Sequence, residues 1–251
     1  MSIVVTKVRA VGLFAATVLA IASIMFWIAS VQHPNRAIEL VPSSVGTYWI
    51  YKGDSREQIG KKIEDRTWHS KQTVIDSIKS GGVSASLVEE DTQMQMSVRD
   101  TTQSHSTCIR LVFDNNRYYE EYDGEQAIRD TWRTLKDKIA AGERPAEPDQ
   151  DWLQIKVPPS PGSIRDPSVA GNEGNDSWCV EKVVPLKSET QVGKFSIPQE
   201  TTEYSIAFRT ASEDTTRKFV SGIGFTARSY AAHAKIKFTD EQLVEFHPTN
   251  Q

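Results

Sequence analysis

Little in this chain points to the common chemistries, and each shortage excludes something. Glycine and proline together supply 25 of 251 residues, which rules out collagen-like and Gly/Pro low-complexity chains. Basic residues are not in excess: 29 Lys and Arg stand against 33 Asp and Glu, a net charge of −4, so no electrostatic footprint for nucleic acid exists. No G-x-S-x-G nucleophile elbow and no G-x-x-x-x-G-K-[ST] phosphate loop occurs. Of the five histidines (33, 69, 105, 233 and 247) only His105 has a Cys or another His within five residues, Cys108, and no second such pair stands in the chain to complete a metal site. No catalytic, cofactor-binding or metal-ligating residue is assigned, and the chain is not read as an enzyme. With 38% apolar and 25% charged residues it is nevertheless a folding sequence and not a disordered one.

The one long hydrophobic run lies at the start. Residues 10–31 (AVGLFAATVLAIASIMFWIASV) hold 22 positions without a charge, preceded by Lys7 and Arg9. As a helix at ~1.5 Å per residue the run spans about 33 Å, enough for a ~30 Å hydrocarbon core. A cleaved signal has a shorter apolar stretch and a small-x-small site, whereas Ile28 would occupy the −3 position here. The reading is an uncleaved single-pass anchor in the cell membrane, with a cleaved signal and a secreted chain as the alternative. The positive flank keeps residues 1–9 in the cytoplasm and puts 32–251 outside it. Trp27 fits the outer interface, and no cysteine near the end of the run offers a lipidation site.

Beyond residue 32 the dominant period is two. Thr47–Tyr51, Val74–Leu87 around Gly81-Gly82, Met94–Val98, Cys108–Phe113, Arg117–Tyr122 after Asp114-Asn115-Asn116, Trp178–Val184, Thr202–Phe208, Phe219–Tyr230 and Lys235–Phe246 read as roughly nine strands. No βαβ alternation appears, so a single curved antiparallel sheet or half-barrel is expected. One helix is expected too: Ile128, Trp132, Leu135 and Ile139 form an apolar stripe, with Asp123 and Gln126 as a capping box and Gly142 as the stop. It should pack on the sheet. Residues 142–176 hold six of the eleven prolines and read as two loops around a short WLQIKV strand.

Trp49 and Tyr51 share one strand face and, with Phe208 and Phe219, are candidates for an apolar groove or for simple core. Cys108 and Cys179 both fall in strands outside the membrane, so they form either one disulfide or two separate buried thiols. Glu89-Glu90-Asp91 and Glu120-Glu121 are consecutive, point to alternating faces and read as solvated edges. Gly222-Ile223-Gly224 reads as a bulge or sharp bend.

Two segments carry a resemblance. Val41-Pro42-Ser43-Ser44-Val45-Gly46-Thr47-Tyr48-Trp49-Ile50-Tyr51 and Phe219-Val220-Ser221-Gly222-Ile223-Gly224, the latter leading to Leu243-Val244-Glu245-Phe246, resemble the opening strand and closing hairpin of an uncharacterised family of bacterial exported proteins. Gly193-Lys194-Phe195 is similar to that family's central Gly-x-Phe step, while Ser221 stands where the family has proline and 124–141 looks like an added helix. The resemblance implies a curved antiparallel sheet outside a bacterial membrane and assigns no catalytic residue or cofactor. The expected function is a membrane-tethered, non-catalytic binding or envelope-structural module. Alternatives are a carrier of an apolar ligand on the concave sheet and a subunit of an envelope complex.

Overall fold

A computed structural model describes residues 39–97, 100–148, 153–157, 178–186, 190–192, 195–197, 201–210 and 212–249. The 10–31 run and the 158–176 loop lie outside the described residues. Among those residues no helix is long and apolar enough to cross a membrane.

The elements run β1 (Tyr48–Ile59), β2 (Lys62–Ser80), β3 (Val83–Ser97), β4 (Asp100–Phe113), β5 (Arg117–Tyr122), α1 (Glu125–Ala140), β6 (Leu153–Lys156), β7 (Trp178–Leu186), β8 (Thr190–Val192), β9 (Phe195–Ile197), β10 (Thr201–Arg209), β11 (Glu213–Val220), β12 (Gly224–Ala232) and β13 (Lys237–His247). Eleven of the strands form one antiparallel sheet in the order β6-β5-β4-β3-β2-β1-β13-β12-β11-β10-β7, and β8 pairs with β9. The expected mainly-β curved sheet is present, but the strand count was low. The sequence pattern missed the three-residue strands β8 and β9 and cut short the second half of β1, the first halves of β2 and β4 and the start of β11. Those four cut stretches are largely polar on both faces, so they carry little apolar alternation to read.

Turn chemistry fixes the meander. Gly81 and Gly82 have φ of 56° and 79° and link Ser80 to Val83 as a two-residue hairpin, the left-handed pair that matches strand twist. Asp114 and Asn115 take φ of 50° and 55° between β4 and β5, and Gly222 makes the bend before β12. The meander from β1 to β6 and the second one ending in β13 join at the β1–β13 ladder, where Trp49 lies opposite Phe246 and Tyr51 opposite Leu243.

The sheet buries its two faces differently. On one face Val83, Ala85, Leu87, Ile109, Leu111, Phe113 and Tyr119 receive Ile128, Trp132 and Ile139 of α1. A bulge between Val74 and Asp76 in β2 turns Asp76 to this face, where its carboxylate accepts from Trp132 Nε1 at 3.0 Å and Lys136 Nζ at 2.6 Å. The helix ends as expected: Gly142 (φ 81°) follows it, with Gly142 N–H donating to Ile139 O and Glu143 N–H to Lys138 O. The expected capping box does not form. Gly124 is the N-cap, Asp123 accepts from the Gly124 N–H, and Gln126 is drawn instead to Asp130, four residues on along the exposed face.

The other face is concave and is covered by its own sheet. Tyr118 of β5 lies 6.0 Å from Phe219 of β11 and 6.2 Å from Phe225 of β12, ring centre to ring centre. These rings, with Trp49, Tyr51, Val74, Val88, Val112, Ile155, Tyr204, Ile206 and Leu243, make the larger core. Leu40 and Val41 close its end, Leu40 O accepting from Gly222 N–H.

Trp49 is 1% exposed and donates Nε1–H to Ile223 O at 2.7 Å. Trp49→Ala should therefore cost about 3–5 kcal/mol of stability. Trp132→Ala should cost less, because a helix laid on a sheet can loosen without breaking the strand ladder. Thermal unfolding of both variants checks this, and an equal or larger loss for Trp132→Ala would show that the helix is integral to the fold.

Candidate functional site

Charge enters the concave face through strand parity. In β4, Arg110 shares its face with Cys108 and Val112; in β5, Glu120 shares its face with Tyr118 and Tyr122. The 114–116 turn sets Arg110 directly opposite Glu120 in the β4–β5 ladder. Both side chains are buried, 5% and 3% exposed. The expectation that Glu120 lies on a solvated edge is thus corrected: alternation aims it into the curl, and only Glu121 looks outward.

Glu120 is saturated. Its Oε1 accepts from Arg110 Nε at 3.2 Å and from the Tyr118 hydroxyl, and its Oε2 accepts from the Tyr122 hydroxyl at 3.2 Å. Arg228, from β12 in the other half of the sheet, approaches Oε2 at 3.7 Å. Burial favours the neutral acid, but Arg110, Arg228 and the Tyr118 hydroxyl outweigh it and hold the carboxyl below its usual range. Arg110 donates a second bond to Gln72 Oε1 of β2 and lies 4.8 Å over the Trp49 ring.

Two further arginines extend the layer. Arg217 and Arg228 are directly opposite in the β11–β12 ladder, and both lie over Phe225, at 5.6 and 4.8 Å. Burial, reinforced by the like charge of Arg228, pushes Arg217 down to about 10. Arg217 Nη1 donates to Gln154 Oε1 of the edge strand β6 at 2.6 Å, a contact between the two halves of the sheet. Past this layer Glu241 takes Trp68 Nε1–H at 3.1 Å, and Trp68 lies flat across Gly53. A Cβ on Gly53 would sit 2.1 Å from the indole, so glycine is what allows the ring to lie there.

The residues singled out from the sequence separate as follows. Trp49, Tyr51 and Phe219 all belong to the concave core, and the Tyr51 hydroxyl donates to Phe225 O at 3.0 Å. Phe208 is half-buried and stands outside that cluster. Cys108 is buried, and as a thiol it is pushed up to about 12 by that burial, which makes it a poor nucleophile at neutral pH. The side chain of Cys179, and with it the expected alternative of a Cys108–Cys179 disulfide, lies outside the described residues. The convex face holds a shallow groove of about 520 Å³ lined by His69, Lys71, Asp91, Gln93 and His105, with His105 Nδ1 2.9 Å from Asp91. Among the described residues no three His, Cys, Asp or Glu side chains converge as metal ligands.

The class defined by fold and site is a curled, open antiparallel sheet whose inner face carries an aromatic core capped by an arginine–glutamate–tyrosine layer. No protein-family model matches the chain, nor does any curated protein. Among solved structures it is similar to a candidate exported protein with a YmcC-like fold from Bacteroides fragilis NCTC 9343, at 11% identity and TM-score 0.38, covering 84% of this chain and 100% of that one. It is also similar to a candidate lipoprotein from Parabacteroides distasonis ATCC 8503, at 10% identity and TM-score 0.40, covering 84% and 99%.

Removing one partner of a buried ion pair strands the other, so Glu120→Gln should lose about 3 kcal/mol or more at neutral pH. The pH dependence has a definite sign. A carboxyl whose folded value lies below its ordinary 4.5 contributes stability above that value and loses it as pH falls through the lower folded one. Melting curves from pH 7 to 3 should show a shallower acid limb for Glu120→Gln than for the native chain. Parallel limbs would remove Glu120 from this role.

Proposed function

We propose that the chain is a membrane-tethered, extracytoplasmic β-domain that works as a non-catalytic envelope scaffold, held by residues 10–31. The tether rests on the uncharged run and on Lys7 and Arg9 before it. The scaffold reading rests on one observation: the inner face of the curl is occupied by its own side chains. Trp49, Tyr51, Tyr118, Phe219 and Phe225 are each no more than 2% exposed. A carrier of an apolar ligand needs a pocket of several hundred cubic ångströms on that face. Glu120 has donors on both oxygens, which leaves it no lone role as a base. The long polar ends of β1–β4 and β13 instead give an extended surface for a partner in the envelope, and α1 presents a second, charged one.

Two measurements test this. An environment-sensitive apolar dye added to the native protein should give no saturable signal; saturable binding lost in a Trp49 or Phe219 variant would restore the carrier reading. Protease applied to spheroplasts should digest the domain and spare the N-terminus. Recovery of a mature chain beginning near Val31 would replace the anchor with a cleaved signal.

A further inference from the structure

The strands β1 and β2 run well past the core. From Tyr51, the last core residue of β1, to Ile59 at its end is about 27 Å at ~3.4 Å per residue. The ribbon ends in two adjacent turns, β1–β2 at residues 60–61 and β12–β13 at 233–236. They are held together by the ladder that pairs Glu57 with Lys237 and by Gln58 N–H donating to Ile236 O at 2.7 Å.

Three of the few large apolar side chains left exposed on the described surface gather at this tip: Ile59 (48% exposed), Ile63 (55%) and Ile236 (43%). Ile63 pairs with Gln58, which also bonds Ile236, so these two side chains flank Gln58 on one face of the ribbon. Ile59 follows Gln58 in the strand and points to the opposite face. The tip is therefore a wedge with aliphatic groups on both sides.

From Arg56 outward, past the opposed Asp54 and Asp240, its charge is one-signed once the local pairs are set aside. Arg56 pairs with Asp65, Arg66 with Glu64 at 2.8 Å, and Lys237 with Glu57 at 3.2 Å. Lys61, Lys62 and Lys235 remain exposed, with no ion pair to any described residue. The domain as a whole is acidic, so three unneutralised lysines around three isoleucines are a local exception. A rigid protein surface meets one face of such a wedge, whereas a headgroup layer closes around both. Aliphatic tips enter that layer and lysines hold its phosphates.

We propose that this double turn, Ile59, Ile63 and Ile236 with Lys61, Lys62 and Lys235, is a docking tip for an anionic phospholipid surface. The test uses the full chain with its N-terminal segment taken up in nanodiscs of phosphatidylcholine, so that this segment contributes nothing to further binding. The loaded discs are mixed with vesicles of phosphatidylcholine alone or of phosphatidylcholine with phosphatidylglycerol, and the vesicles are floated. The protein should float with the anionic vesicles only, and less so as salt rises. Each lysine replaced by glutamine should weaken capture about fivefold, and the three together on the order of a hundredfold. Ile59→Ser with Ile63→Ser and Ile236→Ser should abolish capture while the thermal transition stays where it was, since all three side chains are exposed. Equal capture by both vesicle types, no capture by anionic vesicles, or capture indifferent to the lysine changes would overturn the proposal. Displacement from vesicles by polyglutamate with higher affinity than for lipid would overturn it too and give the tip to an acidic protein.

Discussion

A broad sheet has two faces to keep dry, and this chain supplies one helix. α1 covers the face presented by β2, β3 and β4, and the remaining apolar side chains have nowhere to go but onto each other. The curl follows from that constraint. β5 meets β11 and β12 through Tyr118, Phe219 and Phe225, and the N-terminal strand must find the C-terminal one at the sheet's centre for the two meanders to face each other. The arginine–glutamate–tyrosine layer lies where the aromatic core stops. Arg110 over Trp49, and Arg228 over Phe225, cover the rings with cations, and Glu120 balances the charge from the opposite strand. An open sheet of this width thereby behaves like a barrel without closing its hydrogen-bond ladder.

Below the layer the sheet is core; beyond it the same strands continue as a polar ribbon. That division explains why one sheet can be both stable and available. The core half carries the burial, so the ribbon half needs only its ladders and cross-strand pairs such as Arg56 with Asp65. Trp68 across Gly53 marks the passage from one regime to the other, an aromatic filling the space that a side chain would otherwise take. A scaffold built this way presents its contacts at the end farthest from its core, where substitutions leave the fold intact.

The hairpins were legible because their chemistry is local. Gly81-Gly82 and Asp114-Asn115 name their turns, and the stripe Ile128–Trp132–Ile139 names its helix and the face it buries. The ribbon was not legible, since strands wet on both faces follow cross-strand pairing, which a single segment does not display. Glu120 was the instructive miss. Consecutive carboxylates look like surface, yet the turn at 114–116 already fixes Arg110 opposite Glu120, between Tyr118 and Tyr122 on the same parity. A charge at a core parity position facing its opposite across a hairpin was the available signal. Arg228 carried none, because its meeting with Glu120 depends on the curl.

That meeting is also where the account is most exposed. If the two halves of the sheet close on each other, Glu120 and Arg228 must be energetically coupled although they lie on β5 and β12, which share no ladder. A double-mutant cycle with Glu120→Gln and Arg228→Gln, read by equilibrium unfolding, measures this directly. The predicted coupling is about 0.5–3 kcal/mol, as for residues in one network. Losses that simply add, within about 0.3–0.5 kcal/mol, would mean that the halves do not meet across a closed interior.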